Sequence, residues 1–210
     1  MKLVDMTVKS FTRELSEASP APGGGSVAAL AGSLAAALGA MVARLTVGKA
    51  LYEASWQKME RVRDRCDALR ETLIHLVDRD AEAYNRVIAA YRLPKASEPE
   101  KTARSAAIAG ANRDAAEVPL TTLETIAQLA PLLRQIVHYG NPNCITDAGV
   151  AVEMMRTGAM GAAANVNINL PGLGDAKRAE KLKTRTATLL DQLLEAADNL
   201  DADIGDKMAD

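Results

Sequence analysis

From Val27 to Ala43 the chain carries no charged residue, and most of its side chains are those of alanine, glycine or serine. The stretch Ser19-Pro20-Ala21-Pro22-Gly23-Gly24-Gly25-Ser26 precedes it, and its prolines and glycines stop any helix that comes before. Gly25 or Ser26 can then cap a helix running to about Lys49. Ala28, Ala29, Gly32, Ser33, Ala36, Gly39, Ala40 and Ala43 lie all round this helix, so it has no polar face. Such a helix is buried on most sides. It belongs at the centre of a helical bundle or in a subunit contact. A membrane span needs about 20 predominantly apolar residues. The uncharged run is shorter and ends at Arg44, so burial in protein is the reading adopted, with no membrane partner.

The rest of the chain also has helical periodicity. A short helix over Val8 to Ala18 puts Phe11, Leu15 and Ala18 on one face. From Ser55 to about Tyr91, Leu69, Leu73, Leu76, Val77, Tyr84, Val87 and Ile88 recur at helical spacing. Leu93 to Pro99 reads as a loop. A fourth helix runs from about Glu100 to Tyr139, with Pro119 expected to kink it, and Gly140-Asn141-Pro142-Asn143 ends it. A fifth starts near Thr146-Asp147 and reaches Asn165–Leu170. After a turn at Pro171-Gly172, a last amphipathic helix starts near Asp175. No segment alternates as a strand, and neither a repeat nor a linker appears. The expectation is an all-α, single-domain bundle of about six helices over residues 1–210.

With 210 residues, a core needs no disulfides. The formal net charge is −2 and no block of Lys and Arg stands unbalanced, so nucleic acid is not an expected partner. Cys66 and Cys144 are far apart, as are His75 and His138, which argues against a metal site. Sparse cysteine and no evident secretory leader give a cytoplasmic expectation.

Several positions stand out chemically. Asp80 falls on the apolar stripe between Val77 and Tyr84. A carboxylate there is paired, hydrogen-bonded or functional, and partial burial would make it a usable acid or base. Gly23, Gly24, Gly25 and Ser26 offer backbone N–H groups at the positive end of a helix. Asn141 and Asn143 flank Pro142 in a turn whose amides can donate and accept, and Asp147 follows in a first helical turn. Lys49 closes the small-residue helix, where a cation suits the dipole. Asn165 and Asn169, at i and i+4, share a face among apolar residues.

Taken together and in order, these segments resemble one family. They are Ser19-x-Ala21-Pro22-Gly23-Gly24-Gly25-Ser26-Val27-Ala28-Ala29, Asp80-Ala81-Glu82-Ala83-Tyr84, Leu93-Pro94-Lys95, Val118-Pro119-Leu120, Gly140-Asn141, Thr146-Asp147 with Val150-Ala151, and Asn165-Val166-x-Ile168-Asn169-Leu170. The chain is similar over nearly its whole length to the cyclodeaminase/cyclohydrolase family, which includes the cyclodeaminase half of formiminotransferase-cyclodeaminase and stand-alone methenyltetrahydrofolate cyclohydrolases.

The resemblance implies an all-α fold, a homodimer or higher assembly, and a folate site that uses no metal and no permanently bound cofactor, a tetrahydrofolate derivative being the substrate. Asp80 is then the expected main acid/base, with Asp147 as its partner or electrostatic stabiliser and Lys49 as proton donor or carboxylate anchor. Tyr84, Asn141, Asn143, Asn165 and Asn169 would orient the substrate, and the Gly23–Ser26 turn would take an anionic part of it. Cyclohydrolase is the first expectation, and cyclodeaminase the alternative. A non-catalytic folate-binding or interaction dimer is a more distant reading.

Overall fold

The computed structural model describes residues 2–209, and among them there is no strand. Seven α-helices follow one another: α1 (Val8–Ser16), α2 (Gly24–Thr46), α3 (Trp56–Tyr91), α4 (Glu98–Ala127), α5 (Ala130–Tyr139), α6 (Ile145–Asn169) and α7 (Ala176–Ala209). Short 3-10 turns join several of them. The all-α bundle is as expected. The segment read as one fourth helix is two, because Pro131 has no N–H to give the Ala127 carbonyl, and the chain breaks at Gln128–Leu129. The helix continues through Pro119 itself. Pro99 does not break α4. It sits in the first turn, behind a capping box in which Ser97 and Glu100 satisfy each other's backbone N–H groups.

The small-residue helix α2 is the axis of the molecule, packed between α3 and α6. Its 23 residues, with a mean hydropathy of 1.9 over an 18-residue window, would suffice for a membrane span, a longer apolar stretch than the uncharged run alone. Most of that surface is instead buried inside the bundle. Asn165 lies beside Gly24 and Gly158 beside Gly32, so α2 and α6 run antiparallel. Glycine is required at 158: a Cβ there would stand 2.9 Å from the Ala28 carbonyl oxygen and 3.1 Å from the Gly32 nitrogen. The large side chains Met59, Leu73, Leu123, Ile126, Leu133, Met155 and Leu200 fill the space that the alanines of α2 leave around it.

One face of the α2/α6 pair is not covered. On α2, Leu34 is 46% exposed and Leu45 is exposed further along the same stripe, with Leu30, Leu38 and Met41 half-buried between and beside them. On α6, Val150 and Met160 are exposed and Ile168 is 76% exposed. This apolar strip runs the length of α2.

Candidate active site

The strip has a polar cluster at each end. The first surrounds the N-terminus of α2. The helix begins at Gly24, with Gly23 in extended backbone as its N-cap and no side-chain cap from its own segment. Ser26 is therefore inside the first turn rather than the cap. Asp80 reaches this end of the helix from α3: its carboxylate accepts from the Ser26 hydroxyl at 3.0 Å, and the nearby Ser26 backbone N–H also favours its charged form. A negative group at the positive end of a helix is favourably placed. Gly25 makes the approach possible. A Cβ at 25 would lie 2.5 Å from Asp80 Cγ and 2.7 Å from Oδ2, and closer still to Oδ1.

A cleft of about 330 Å³ opens beside this carboxylate. It is lined by the Gly23–Gly25 turn, Asp80 and Tyr84 of α3, Ala115 of α4, and Asn165 and Asn169 of α6. Val87 and Ile168 add apolar wall, and Pro20 and Ala21 form one rim. Asp80 is the only ionised group among the lining residues, and no Lys or Arg is there. Burial pushes the Asp80 carboxyl above its ordinary value, and the two hydrogen bonds from Ser26 oppose that rise without cancelling it.

Asn169 is held by a consequence of Pro119. A proline within a helix leaves the carbonyl four residues earlier without its partner, and here that carbonyl belongs to Ala115. Asn169 Nδ2 donates to it at 2.9 Å and to the Asn165 carbonyl at 2.8 Å. Both amide protons are thereby used, and Asn169 Oδ1 remains as an acceptor. Asn165 Nδ2 likewise donates to the Gly161 carbonyl at 2.8 Å, which leaves its own Oδ1 as an acceptor. The cleft thus combines one desolvated carboxylate with two amide acceptors, a set suited to a cationic, proton-bearing ligand.

The second cluster lies at the other end of α2, about 33 Å away at 1.5 Å per residue. Asn141, Asn143, Asp147 and Lys49 gather there, so within one chain they do not share the Asp80 cleft. The Asn141 acceptor is fully engaged: its Oδ1 accepts from the Tyr52 hydroxyl and the Asn143 N–H, both at 3.1 Å, and its Nδ2 donates to the Leu45 carbonyl at 3.3 Å. Its own N–H donates to Thr46 Oγ1 at 2.9 Å. Asn141 braces the turn against the end of α2. Asn143 and Lys49 are exposed, and Asp147 is half-buried in the first turn of α6. The Cys144 thiol is pushed up by its burial and by Asp147, while Lys49 pulls it the other way. A recess of about 110 Å³ adjoins them, lined in part by Val42, Cys144 and Lys207.

Ser26, expected to touch substrate, has no exposed surface and turns inward to Asp80. Sequence reasoning did not single out Ala115, Val87 or Ile168 as lining residues. For Ala115 a signal existed, since Pro119 marks its carbonyl as unpartnered. Asp78, two residues before Asp80, was also missed. It is buried and accepts at 2.6 Å from the Leu3 N–H, which ties the N-terminal segment to α3. Among the described residues no group of three or more His, Cys, Asp or Glu is close enough to hold a metal ion.

The fold and cleft define a class: an antiparallel helical bundle that carries a desolvated carboxylate at a glycine-rich helix start. Residues 7–188 match the family model described as formiminotransferase-cyclodeaminase. The chain belongs to this family. It is 39% identical over 175 residues to methenyltetrahydrofolate cyclohydrolase of Methylorubrum extorquens, covering 83% of this chain and 84% of that protein. It is 38% identical over 190 residues to mouse formimidoyltransferase-cyclodeaminase, covering 90% of this chain but only 35% of the length of that relative. The solved structure of formiminotetrahydrofolate cyclodeaminase from Thermotoga maritima superposes with a TM-score of 0.79 at 28% identity, covering 97% of this chain and 96% of that one.

Proposed function

We propose that the protein is a folate one-carbon enzyme, a methenyltetrahydrofolate cyclohydrolase that opens 5,10-methenyltetrahydrofolate to 10-formyltetrahydrofolate. The observation that carries this reading is the Asp80 carboxylate, desolvated beside an open cleft with no cation lining it. The methenyl carbon lies between N5 and N10 as a cationic amidinium, and a buried carboxylate attracts such charge far more strongly than one in water. Water adds to that carbon and gives one proton to Asp80. Asp80 then returns this proton to N5 as the C–N5 bond breaks, and the remaining hydroxyl proton leaves to solvent as the formyl C=O forms. One group serves as base and then as acid. The similarity to the cyclohydrolase of M. extorquens, along most of both chains, favours this activity.

The second reading is formiminotetrahydrofolate cyclodeaminase. The T. maritima structure, similar along nearly its whole length, bears that name. There N10 attacks a formimino carbon on N5 and ammonia leaves, through a tetrahedral carbon of the same kind. Asn165 and Asn169, with amide oxygens left to accept, suit a leaving amino group equally well.

We further propose that the working unit is a homodimer. The cleft of about 330 Å³ is at the lower end of small-molecule sites, which run from about 300 to 1,000 Å³. An exposed apolar strip joins it to the Lys49–Asp147 cluster. A twofold axis across the middle of α2 would cover the strip and bring each Asp80 cleft against the Lys49 and Asp147 of the second copy. Each site would then gain the cation that its own chain does not place there.

The test is methenyl absorbance on purified protein. Loss of the methenyl signal faster than the uncatalysed reaction supports the cyclohydrolase. Gain of that signal from 5-formiminotetrahydrofolate, with release of ammonia, supports the cyclodeaminase. Turnover of neither substrate overturns the enzymatic reading, and folate-dependent thermal stabilisation without turnover would indicate a binding module.

A further inference from the structure

Ser26 sits in the first turn of α2 with no exposed surface, yet its hydroxyl faces two acceptors. Its Oγ lies 3.0 Å from Asp80 Oδ2 and 3.0 Å from the Val77 carbonyl oxygen. A serine hydroxyl has one proton and two lone pairs, so it donates to one of these at a time. With Asp80 ionised, the proton belongs toward Oδ2, where it stabilises the charge. With Asp80 protonated on Oδ2, the acid donates to Oγ and the serine proton turns to the Val77 carbonyl. Both states are fully hydrogen-bonded, and no heavy atom has to move between them.

We propose that Ser26 is a positioning residue whose hydroxyl reorients between Asp80 and the Val77 carbonyl as Asp80 takes and releases its proton. The inference rests on the reading of Asp80 as the acid/base group. Ser26 keeps its own proton throughout. It rotates the proton instead of relaying it, and so holds the carboxyl group in one place through both halves of the reaction.

Little else near Asp80 can take over this role. From α2 the cleft receives only glycines, from α4 Ala115, from α6 Asn165, Ile168 and Asn169, and from the preceding loop Pro20 and Ala21. Tyr84 is the only other titratable group lining it. Asp78 and Glu82, the nearest acids on α3, line a separate cleft with Pro22 and Asn85. A twofold partner would add Lys49 and Asp147, whose effect is common to wild type and variants. The hydroxyl of Ser26 is therefore the side chain that favours the charged form of Asp80, by the stronger bond it donates to a carboxylate, against the burial that opposes that charge.

The experiment compares Ser26→Ala, Ser26→Cys and Ser26→Thr with wild type. It reads the pH profile of kcat/KM and, independently of turnover, the carbon-13 titration of the Asp80 carboxyl group. Loss of the donor shifts the acid limb and the Asp80 midpoint upward by about one pH unit, a factor of ~10 in the proton equilibrium. It also lowers kcat about tenfold with KM little changed. Cysteine, of nearly the same shape but a weak donor, follows alanine, whereas threonine, with a hydroxyl, keeps the wild-type midpoint. Cysteine also stands in if the alanine variant does not fold. A wild-type Asp80 midpoint in the alanine or cysteine variant overturns the proposal. Asp80→Asn separates the two levels. Full turnover in that variant removes the acid/base reading, whereas an inactive Asp80→Asn beside an unshifted Ser26→Ala removes only the role of Ser26.

Discussion

Gly25→Ala isolates the geometry of the site from the stability of the fold. Glycine in this first turn contributes nothing to packing, and alanine is the better helix former by up to about 1 kcal/mol. The added methyl would lie 2.5 Å from Asp80 Cγ, where ordinary carbon–carbon contact is about 3.5–4.0 Å. The methyl is fixed to the backbone of α2, so the carboxylate must retreat by about 1 Å or more. It then loses its bond from the Ser26 hydroxyl, worth roughly 1.5–3 kcal/mol for a charged acceptor. Moving toward solvent returns part of that loss, because burial disfavours the charged form. With the helix gain, the net change in stability is about 2 kcal/mol or less, a shift in Tm of roughly 8 °C at most for a chain of this size. Activity falls much further: a 1 Å displacement of a catalytic group costs on the order of 10²-fold. The assay is a thermal melt alongside kcat from methenyl absorbance. A folded Gly25→Ala protein turning over at the wild-type rate would refute the claim that the triple glycine exists to seat Asp80.

Other outcomes follow from the same geometry. Pro119→Ala restores the N–H that competes for the Ala115 carbonyl, so Asn169 loses a fixed anchor; KM should rise severalfold while urea denaturation shows equal or greater stability. In a twofold dimer with shared sites, Asp80→Asn and Lys49→Ala chains, each inactive alone, should recover about a quarter of wild-type activity after subunit exchange, because half of the dimers carry one undamaged site of two; no recovery on mixing contradicts the shared site. Asp80 is raised in the fold, so its stabilising contribution is full below the unfolded value of about 3.9 and is lost as pH rises through the folded value. Asp80→Asn should accordingly melt higher than wild type at neutral pH, with the gap closing below about pH 4, as calorimetry across pH would detect.

Much of this site could be read from the order of residues. Asp80 between Val77 and Tyr84 is visible as an acid on an apolar stripe because helical period alone assigns its face. The small residues of α2 announce a central helix for a similar reason, since a stripe of alanines leaves no polar side. The sequence gives no hint that Gly25 is a vacancy for a carboxylate 55 residues later, a relation created only when α3 packs on α2. Asn141 and Asn169 illustrate the same limit. Both are buried or half-buried asparagines in motifs, yet the acceptor of one is taken by Tyr52 and Asn143, while the other keeps a free acceptor because Pro119 orphans a carbonyl. Local pattern cannot tell a brace from a ligand-facing amide. Nor can it show that Lys49 and Asp147 gather at the far end of α2, since distance along a helix becomes distance in space only once the helix is known to be straight and uninterrupted.

The most direct measurement is the single-turnover rate of Asp80→Asn on 5,10-methenyltetrahydrofolate, taken on protein whose melt shows it folded. Asparagine retains the shape and the contact with Ser26 but can neither take the proton from water nor balance the charge on the one-carbon unit. The account predicts a loss on the order of 10²–10⁴-fold, the range for a general acid–base group. A rate within a factor of about two of wild type would mean that the buried carboxylate caps a helix and does no chemistry.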